Sequence, residues 1–310
     1  MTLPDDHLRY PHRRYGMDHK RYEWSILPRR SKVTWPNGAR IAVWVVPALE
    51  WFPLNMSAQA VRIPGELDRP YPDYWNYTLR DYGNRVGYFR VAKVLRDLGI
   101  KASVAMNSAL AERHPVLVED INEHGWEIIA HGVDMGRPHY GGLDLKTETA
   151  LVEESVTSLR TASGQAVTGW LSPGKSESAN TLDVIAAHGI EYVCDWVNDD
   201  MPYAMHSENG ALYALPHSYE TDDQLILSDA HHSEDQYLAQ LKDQFETLYS
   251  ESSANNGRVF CLSLHPWIIG QPFRIKTLES ALSYVLSHAG VWSATGSEIL
   301  TAFKASQQTL

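Results

Sequence analysis

Amphipathic stretches and short apolar runs alternate along this 310-residue chain, and a glycine often separates them. Apolar residues spaced three and four apart predict a helix, and five or six consecutive apolar residues suit a buried strand. A glycine just past a helix favours a left-handed C-cap. The pattern therefore predicts an α/β protein. The clearest helix–glycine–strand units are 85–98 with 100–106, 116–123 with 126–130, 179–187 with 190–194, and 277–288 with 291–294.

Further apolar patterns complete this arrangement. Apolar residues at helical spacing predict a helix over 233–249, and Ser233 with Gln236 has the form of a capping box. No low-complexity linker or shift in composition divides the chain. This continuity favours one barrel-like or doubly wound domain over two domains. Apolar runs at 40–48, 167–171, 212–215 and 259–264 bring the predicted strands to about eight.

Polar, titratable side chains close several of the predicted strands. Because parallel strands end at the same edge of a sheet or barrel, these groups are expected to meet at one rim. One such residue alone would suit a turn hydrogen bond, but several at one rim favour a catalytic site. A carboxylate, imidazoles and an acid cluster could together support general acid–base hydrolysis. The strand-end residues are Glu50, Asn107, His131, Asp195 and His265, and Asp199 and Asp200 complete the acid cluster.

The segment 169–176 fits the pattern GxxxxGK[ST], which is typical of a phosphate-binding loop. Such a loop needs an apolar strand before its first glycine and a helix that begins at the lysine. Here residues 161–168 are mostly small and polar, and the helical pattern begins only near Ala179. Nucleotide binding is therefore kept only as a minor hypothesis.

Composition narrows the choice of partners. With 27 Lys and Arg against 38 Asp and Glu, the formal net charge is −11, which disfavours nucleic acid and anionic membranes. No stretch approaches the ~20 apolar residues needed to cross a bilayer, and the N-terminus lacks the apolar core of a signal peptide. Cys194 and Cys261 lie inside apolar runs and are expected to be buried, reduced thiols. These features predict a cytoplasmic protein for which nucleic acid is an unlikely partner.

Six segments of the chain occur in an order that resembles a known superfamily. They are ARIAVWVVPALEW (39–51), DYGNRVGYFRVAKVL (81–95), HGWEIIAHG (124–132), GWLSPG (169–174), CDWVNDDMPY (194–203) and LSLHPWIIGQPFR (262–274). In them the chain resembles the polysaccharide deacetylase (NodB-homology) superfamily, and within it the allantoinases and cyclic imide hydrolases. The resemblance implies a deformed, incomplete (β/α) barrel over 37–310, preceded by an N-terminal arm of residues 1–36.

The resemblance also bears on metal binding. In metal-dependent relatives the first strand ends in two acids, a catalytic base and then a metal ligand, and two histidines four residues apart follow the third strand. Here Glu50 keeps the base, but Trp51 replaces the metal carboxylate, and His131 is followed four residues later by Met135. A lone imidazole holds Zn²⁺ poorly. The resemblance therefore implies a metal-independent enzyme without a cofactor, as in the allantoinase-like branch.

This chain departs from that branch at the end of the first strand. The branch carries Glu-Glu-Gly there, whereas this chain has Glu50 followed by Trp, Phe and Pro. An indole beside a buried base would make the pocket more apolar and raise the pKa of Glu50. It also removes a polar group that could bind a ureido substrate. A flatter or more apolar cyclic amide or imide is thus as suitable a substrate as allantoin.

These inferences lead to a metal-independent hydrolase of a cyclic amide, imide or ureide. Glu50 with His265 would activate water and protonate the leaving nitrogen, Asp195 or Asp199 would orient the imidazole, and His131 would polarise the carbonyl. The predicted substrate-binding residues are Trp51, Arg85, Trp170, Pro173, Trp267 and Arg274.

Two alternatives remain open at this stage. One is a metal-dependent deacetylase of an N-acetylated sugar, with Zn²⁺ near His131 and Asp134 or His139 as substitute ligands. The other is a non-catalytic member of the fold that only binds a ligand. Relatives in the allantoinase-like branch form oligomers, so the resemblance also implies a homo-oligomer, a dimer or a tetramer.

Overall fold

The computed structural model describes residues 19–55 and 72–308. Within them, nine strands form one sheet. They are β1 (Ile41–Leu49), β2 (Ser103–Met106), β3 (Glu127–Ala130), β4 (Gly169–Trp170), β5 (Tyr192–Val193), β6 (Tyr203–Met205), β7 (Leu212–Ala214), β8 (Arg258–Leu264) and β9 (Val291–Ser293).

The sheet curls into an open half-barrel. Its strand order is β6-β7-β5-β4-β3-β2-β1-β8, and β9 pairs with the first residues of β1. The pairs are parallel except for the hairpin β6–β7. The predicted fold, a single-domain, deformed and incomplete (β/α) barrel, is confirmed. Because the strands are mostly parallel, their carboxyl ends share one edge, where the polar residues gather.

Helices connect most of the strands and cover the outside of the sheet. They are α1 (Tyr74–Tyr82), α2 (Tyr88–Asp97), α3 (Ser108–Arg113), α4 (Pro115–Glu123), α5 (Leu145–Ser163), α6 (Thr181–Ala187), α7 (Glu234–Glu251), α8 (Pro266–Ile269), α9 (Ile275–Leu286) and α10 (Gly296–Gln308). A π-helical segment, Gly83–Gly87, joins α1 to α2. The capping box predicted for the helix now called α7 is present, since Ser233 and Gln236 bond to each other's backbone N–H groups.

Strand β1 shows how the sequence separates the two faces of the sheet. All nine of its residues are buried. Ile41, Val43 and Val45 belong to the core between sheet and helices, whereas Trp44 and Val46 face the interior of the half-barrel. Successive side chains of a strand point to opposite faces, so continuous burial means that both faces are covered.

The segments before β1 pack against the rest of the described chain. The Trp35 indole N–H donates to the Arg258 carbonyl at 3.0 Å, and Val33 and Trp35 join the inner core. The Arg21 guanidinium pairs with Asp183 at 2.8 Å. Residues 1–18 of the predicted arm lie outside the described residues. Cys194 and Cys261 are buried and free, as predicted.

Some boundaries differ from the predicted ones. The run 167–171 forms only the two-residue strand β4, because Val167 adopts φ +45°, which strands do not allow. Helix α5 was not predicted, because its buried positions are few and its face is mostly polar; Asp144 caps it by accepting from the Thr147 N–H. The helix after segment 169–176 begins only at Thr181, so no phosphate-binding loop forms.

No helix in the described part of the chain is both long enough and apolar enough to cross a membrane.

The π-helical segment and α8 approach so closely that only glycine fits. A Cβ on Gly87 would lie 2.0 Å from the Pro266 carbonyl oxygen. We expect Gly87→Ala to lower the free energy of unfolding by about 1–3 kcal/mol, because backbone must move to relieve the clash. Thermal melts check this. Gly141→Ala is the control, since a Cβ there meets nothing within 4 Å. Equal melting temperatures for the two variants would contradict the packing described.

Candidate active site

Strand alternation brings three predicted residues to one cavity. In β1, β3 and β8 the inner-core residues Val46, Ile129 and Cys261 face the interior of the half-barrel. Every second side chain of a strand points to the same face, so Glu50, His131 and His265 also lie on this face, just past the strand ends. These three residues line one cavity of about 250 Å³.

Glu50 lies between the two imidazoles. Its Oε1 is 3.6 Å from His131 Nε2 and 4.0 Å from His265 Nε2, and its side chain is buried. Burial raises the pKa of Glu50, but the two imidazoles and the Arg80 guanidinium outweigh burial, so the pKa lies below its ordinary value. The expectation of a raised pKa was wrong, because the charged neighbours rather than the indole of Trp51 dominate. Glu50 is therefore a carboxylate at neutral pH.

His131 is held by a backbone carbonyl. Its Nδ1 lies 2.7 Å from the Leu171 carbonyl oxygen, so Nδ1–H donates to it. Asn107 fixes the same strand end, because its side-chain amide donates to the His131 carbonyl and accepts from the Trp51 N–H. With Nδ1 engaged, Nε2 faces Glu50. Nε2 is an acceptor in the neutral ring and becomes a donor only in the imidazolium.

His265 is oriented by a pair of aspartates. Its Nδ1 donates to Asp223 Oδ1 at 2.8 Å, and Asp222 Oδ1 lies 3.4 Å away. The backbone N–H of His265 also donates to the Asp223 carboxylate at 2.9 Å. Burial lowers the pKa of His265, but Asp222, Asp223 and Glu50 outweigh it and raise that pKa to about 10. His265 is therefore an imidazolium at neutral pH, with Nε2–H directed toward the cavity.

The acids predicted to orient His265 lie elsewhere. Asp195 Oδ1 accepts from the Ser172 backbone N–H at 2.7 Å, beside β4, where burial raises the pKa of Asp195. Asp199 pairs with Arg30 at 2.6 Å. Neither lines the cavity around Glu50. The prediction that one of them orients His265 was wrong, because β5 is short and the chain after it turns toward residues preceding β1.

Most of the predicted aromatic wall also faces away. The Trp51 indole packs on Tyr77 at a centroid distance of 5.7 Å, since residue 51 has the opposite strand parity to Glu50. Trp170 is fully buried on the outer face and donates its indole N–H to Ser172 Oγ. Pro173 is buried beneath the turn, and the residues after it line the cavity instead. Trp267 does line the cavity, as predicted.

The predicted arginines lie outside the cavity, and a different arginine lines it. Arg85 is 76% exposed and is 3.8 Å from Asp81, whereas Arg274 pairs with Glu234 at 3.0 Å. Arg80 is buried, and its guanidinium lies 4.2 Å from the Phe52 ring centroid and 5.6 Å from that of Trp267. Arg80 belongs to α1, a helix that the sequence pattern did not predict.

Four further residues at or beside the cavity were not among the predicted site residues. Asp222 and Asp223 come from the loop after β7, and Lys175 and His217 come from turns after β4 and β7. The visible signals were the adjacent aspartates 222 and 223 and the Gly-Lys of segment 169–176, because turns do not show the periodicity of strands and helices. Lys175 Nζ lies 3.5 Å from Asp222 Oδ2, and Ser263 Oγ donates to the same oxygen at 2.7 Å.

The donors around His131 do not fit a hydrolytic metal ion. Trp51 offers no ligand atom, and Met135 offers only a soft thioether. The substitute ligands are already engaged: Asp134 binds Arg137 at 2.7 Å, and His139 Nδ1 lies 3.0 Å from the Glu148 carboxylate. Among residues 19–55 and 72–308, the cluster with the spacing of metal ligands is Asp222, Asp223 and His265. There, however, the His265 Nδ1–H is bonded to Asp223 and the Lys175 ammonium lies beside Asp222, which disfavours a cation.

Residues 76–193 match the family model "Polysaccharide deacetylase". The resemblance to the polysaccharide deacetylases is confirmed. A curated relative from Schizosaccharomyces pombe, named "Putative polysaccharide deacetylase", is 25% identical over 241 residues, which cover 73% of this chain and 75% of the relative.

Solved structures show the same fold. PuuE allantoinase has 25% sequence identity and a TM-score of 0.77, with 87% of this chain and 92% of that chain covered. A probable polysaccharide deacetylase from Pseudomonas aeruginosa PAO1 has 24% identity, the same TM-score, and coverage of 87% and 93%. The chain thus has the NodB-like deformed barrel, and its residues 76–193 are similar to the polysaccharide deacetylases.

Proposed function

We propose that this protein is a metal-independent hydrolase that opens a small ring at a C–N bond, in a cyclic amide, imide or ureide. One observation carries the proposal. Oε1 of Glu50, a residue whose pKa is lowered, lies 3.6 Å from His131 Nε2 and 4.0 Å from His265 Nε2. The pKa of His265 is raised to about 10. A carboxylate base and an imidazolium acid whose pKa values are pushed apart are the groups that hydrolysis requires.

In the proposed reaction Glu50 takes a proton from water as the water oxygen bonds to the ring carbonyl carbon. The carbon–nitrogen bond then breaks, and His265 Nε2–H gives its proton to the leaving nitrogen. The proton on Glu50 returns to His265, 4.0 Å away, and both groups regain their starting states. Asp223 keeps Nδ1 of His265 protonated throughout, so that only Nε2 exchanges its proton with the substrate.

His131 is proposed to bind the carbonyl oxygen as negative charge develops on it. Because Nδ1–H donates to the Leu171 carbonyl, Nε2, which lies 3.6 Å from Glu50 Oε1, faces the reacting group. When Nε2 carries a proton, it donates to the developing oxyanion and supplies the polarisation that a metal provides in metal-dependent relatives.

The size and charge of the cavity support a small, neutral substrate. Its volume of about 250 Å³ lies just below the ~300–1,000 Å³ typical for drug-sized ligands, so a single ring fits it. The acidic residues Glu50, Asp222 and Asp229 and the basic residues Arg80, Lys175 and His265 line it, so the charges of the lining groups nearly balance. The structural likeness to an allantoinase supports a ring-opening reaction of this kind.

A substrate panel tests the proposal. Purified protein is incubated with cyclic ureides, cyclic imides, lactams and N-acetylated sugars, and NMR follows ring opening or acetate release. We expect ring opening of at least one cyclic compound and no acetate. Acetate release from an N-acetylated sugar, with every ring left intact, would contradict the proposal and favour the deacetylase alternative.

A further inference from the structure

One imidazole at the cavity has no role in the proposed proton transfers. His217 comes just after β7, is 1% exposed and lines the cavity. Within the part of the chain that the structure describes, no group hydrogen-bonds to either ring nitrogen of His217. Buried polar atoms are nearly always hydrogen-bonded. Two ring nitrogens without a hydrogen bond in the wall of a cavity indicate that a bound ligand supplies their hydrogen-bond partner.

The surroundings of His217 fix its charge. Burial lowers the pKa of His217 well below its ordinary value, and the nearby Lys175 ammonium and His265 imidazolium act in the same direction against Asp222. The ring is therefore neutral at physiological pH and carries one N–H donor and one acceptor. Its edge packs against Trp44, at a centroid distance of 6.1 Å. This contact holds the ring in place on the inner face of the half-barrel.

A second donor, Lys175, shares this end of the cavity. Lys175 adopts φ +55° and follows Gly174 at φ +65°, in a turn that projects the side chain into the cavity. A positive φ at a residue other than glycine is uncommon and marks a position held by its surroundings. Lys175 Nζ lies 3.5 Å from Asp222 Oδ2 and 4.9 Å from the Tyr219 ring centroid. Asp222 thus balances the ammonium while leaving donors on it.

We propose that His217 and Lys175 form a carbonyl-binding subsite that holds the part of the ring that is not cleaved. A carbonyl oxygen has two lone pairs and accepts from both donors. A neutral imidazole and an ammonium already paired with Asp222 suit a neutral oxygen better than a carboxylate. This inference rests on the proposed function and narrows its substrate class to rings with a second carbonyl, imides and ureides, rather than simple lactams.

The subsite is tested by binding rather than by turnover. Succinimide and 2-pyrrolidinone are five-membered rings that differ by one carbonyl. Their dissociation constants are measured in the Glu50→Gln background, where ring opening is expected to be slow. We expect succinimide to bind about tenfold more tightly, the size of one well-made hydrogen bond. Adding His217→Phe should remove the difference, and His217→Asn, which keeps a donor, should restore part of it.

Controls separate this role from a structural one. His188→Phe should leave the difference intact, because His188 lies at the end of α6, outside the cavity, with its Nδ1 bonded to the Val184 carbonyl. The proposal would be overturned if succinimide and 2-pyrrolidinone bound equally tightly to the Glu50→Gln protein. It would also be overturned if the tenfold difference persisted after His217→Phe was added. If His217→Phe does not fold, ¹⁵N spectra of labelled histidine in the Glu50→Gln protein decide. Succinimide must then shift the ring-nitrogen resonances of His217 more than 2-pyrrolidinone does, and equal shifts overturn the subsite.

The outcomes also distinguish this inference from the proposed function. If wild-type protein opens no ring in the panel, the proposed function fails, but the binding comparison can still be made. If rings are opened and the two affinities are equal, only the subsite fails.

Discussion

Glu50→Gln is expected to reduce kcat for ring opening by about 10²–10⁴-fold while leaving the binding of an unreactive ring analogue nearly unchanged. The substitution keeps the shape of the side chain but removes the only carboxylate that reaches both Nε2 atoms, of His131 and His265, among the described residues. General bases contribute on that order. Steady-state kinetics and calorimetric binding separate the chemical step from substrate binding.

Glu177→Gln is the matched control for this variant. Burial and repulsion from Asp195 raise the pKa of Glu177 to about 9, so its carboxyl group is protonated at neutral pH and the substitution preserves its charge. Glu177 does not line the cavity. Near-normal turnover is expected. If Glu50→Gln retained wild-type kcat, or if Glu177→Gln lost as much activity, the assignment of Glu50 as base would be wrong.

Asp223→Asn should move the alkaline limb of the kcat/KM profile toward neutral pH and lower kcat at pH 7 by about 10²-fold or more. The acid His265 works only while protonated, and its pKa of about 10 depends on Asp222 and Asp223 against the effect of burial. Without the Asp223 charge, burial is opposed less and the pKa of His265 falls. The profile is measured with a substrate that has no ionisable N–H, so that the alkaline limb reports a group of the enzyme and not of the substrate.

The same pairing affects stability with a definite sign. Because folding raises the pKa of His265, its contribution is fully present below the unfolded value of ~6.5 and is lost as the pH rises through about 10. Burial raises the pKa of Asp223 to about 6, so both partners are charged only between about pH 6 and about pH 10, and Asp223→Asn should lose stability most near neutral pH. Asp199→Asn is the control, since Asp199 pairs with Arg30 instead. If the alkaline limb of the kcat/KM profile stays in place in Asp223→Asn, or moves in Asp199→Asn, then Asp223 does not position His265.

The strand-end residues could be predicted from sequence because strands are periodic. Continuous apolar runs mark β1, β3 and β8, and the alternation of side chains then places Glu50, His131 and His265 on one face. The same alternation explains why Trp51 and Trp170 were wrongly placed in the cavity. Each occupies a position whose side chain points to the outer face of the sheet. The prediction from the strand ends alone did not take this into account.

The supporting residues could not be predicted in this way. Asp222 and Asp223 reach His265 from a loop that follows the antiparallel hairpin β6–β7, far from β8 in sequence. Lys175 owes its position to a turn with positive φ, and Arg80 to a helix with a mostly polar face. Contacts of this kind depend on tertiary packing, whereas local sequence pattern reports only on the element itself.

Hydrolysis by the lining residues without a metal ion can be checked in a single experiment. Turnover of the best ring substrate is measured on protein stripped with chelator, with bound metal quantified in the same sample, and again after Zn²⁺ is added. We expect full activity in protein that carries far less than one metal ion per chain, and no gain from Zn²⁺. Activity that disappears with the metal and returns in proportion to the Zn²⁺ bound would contradict it.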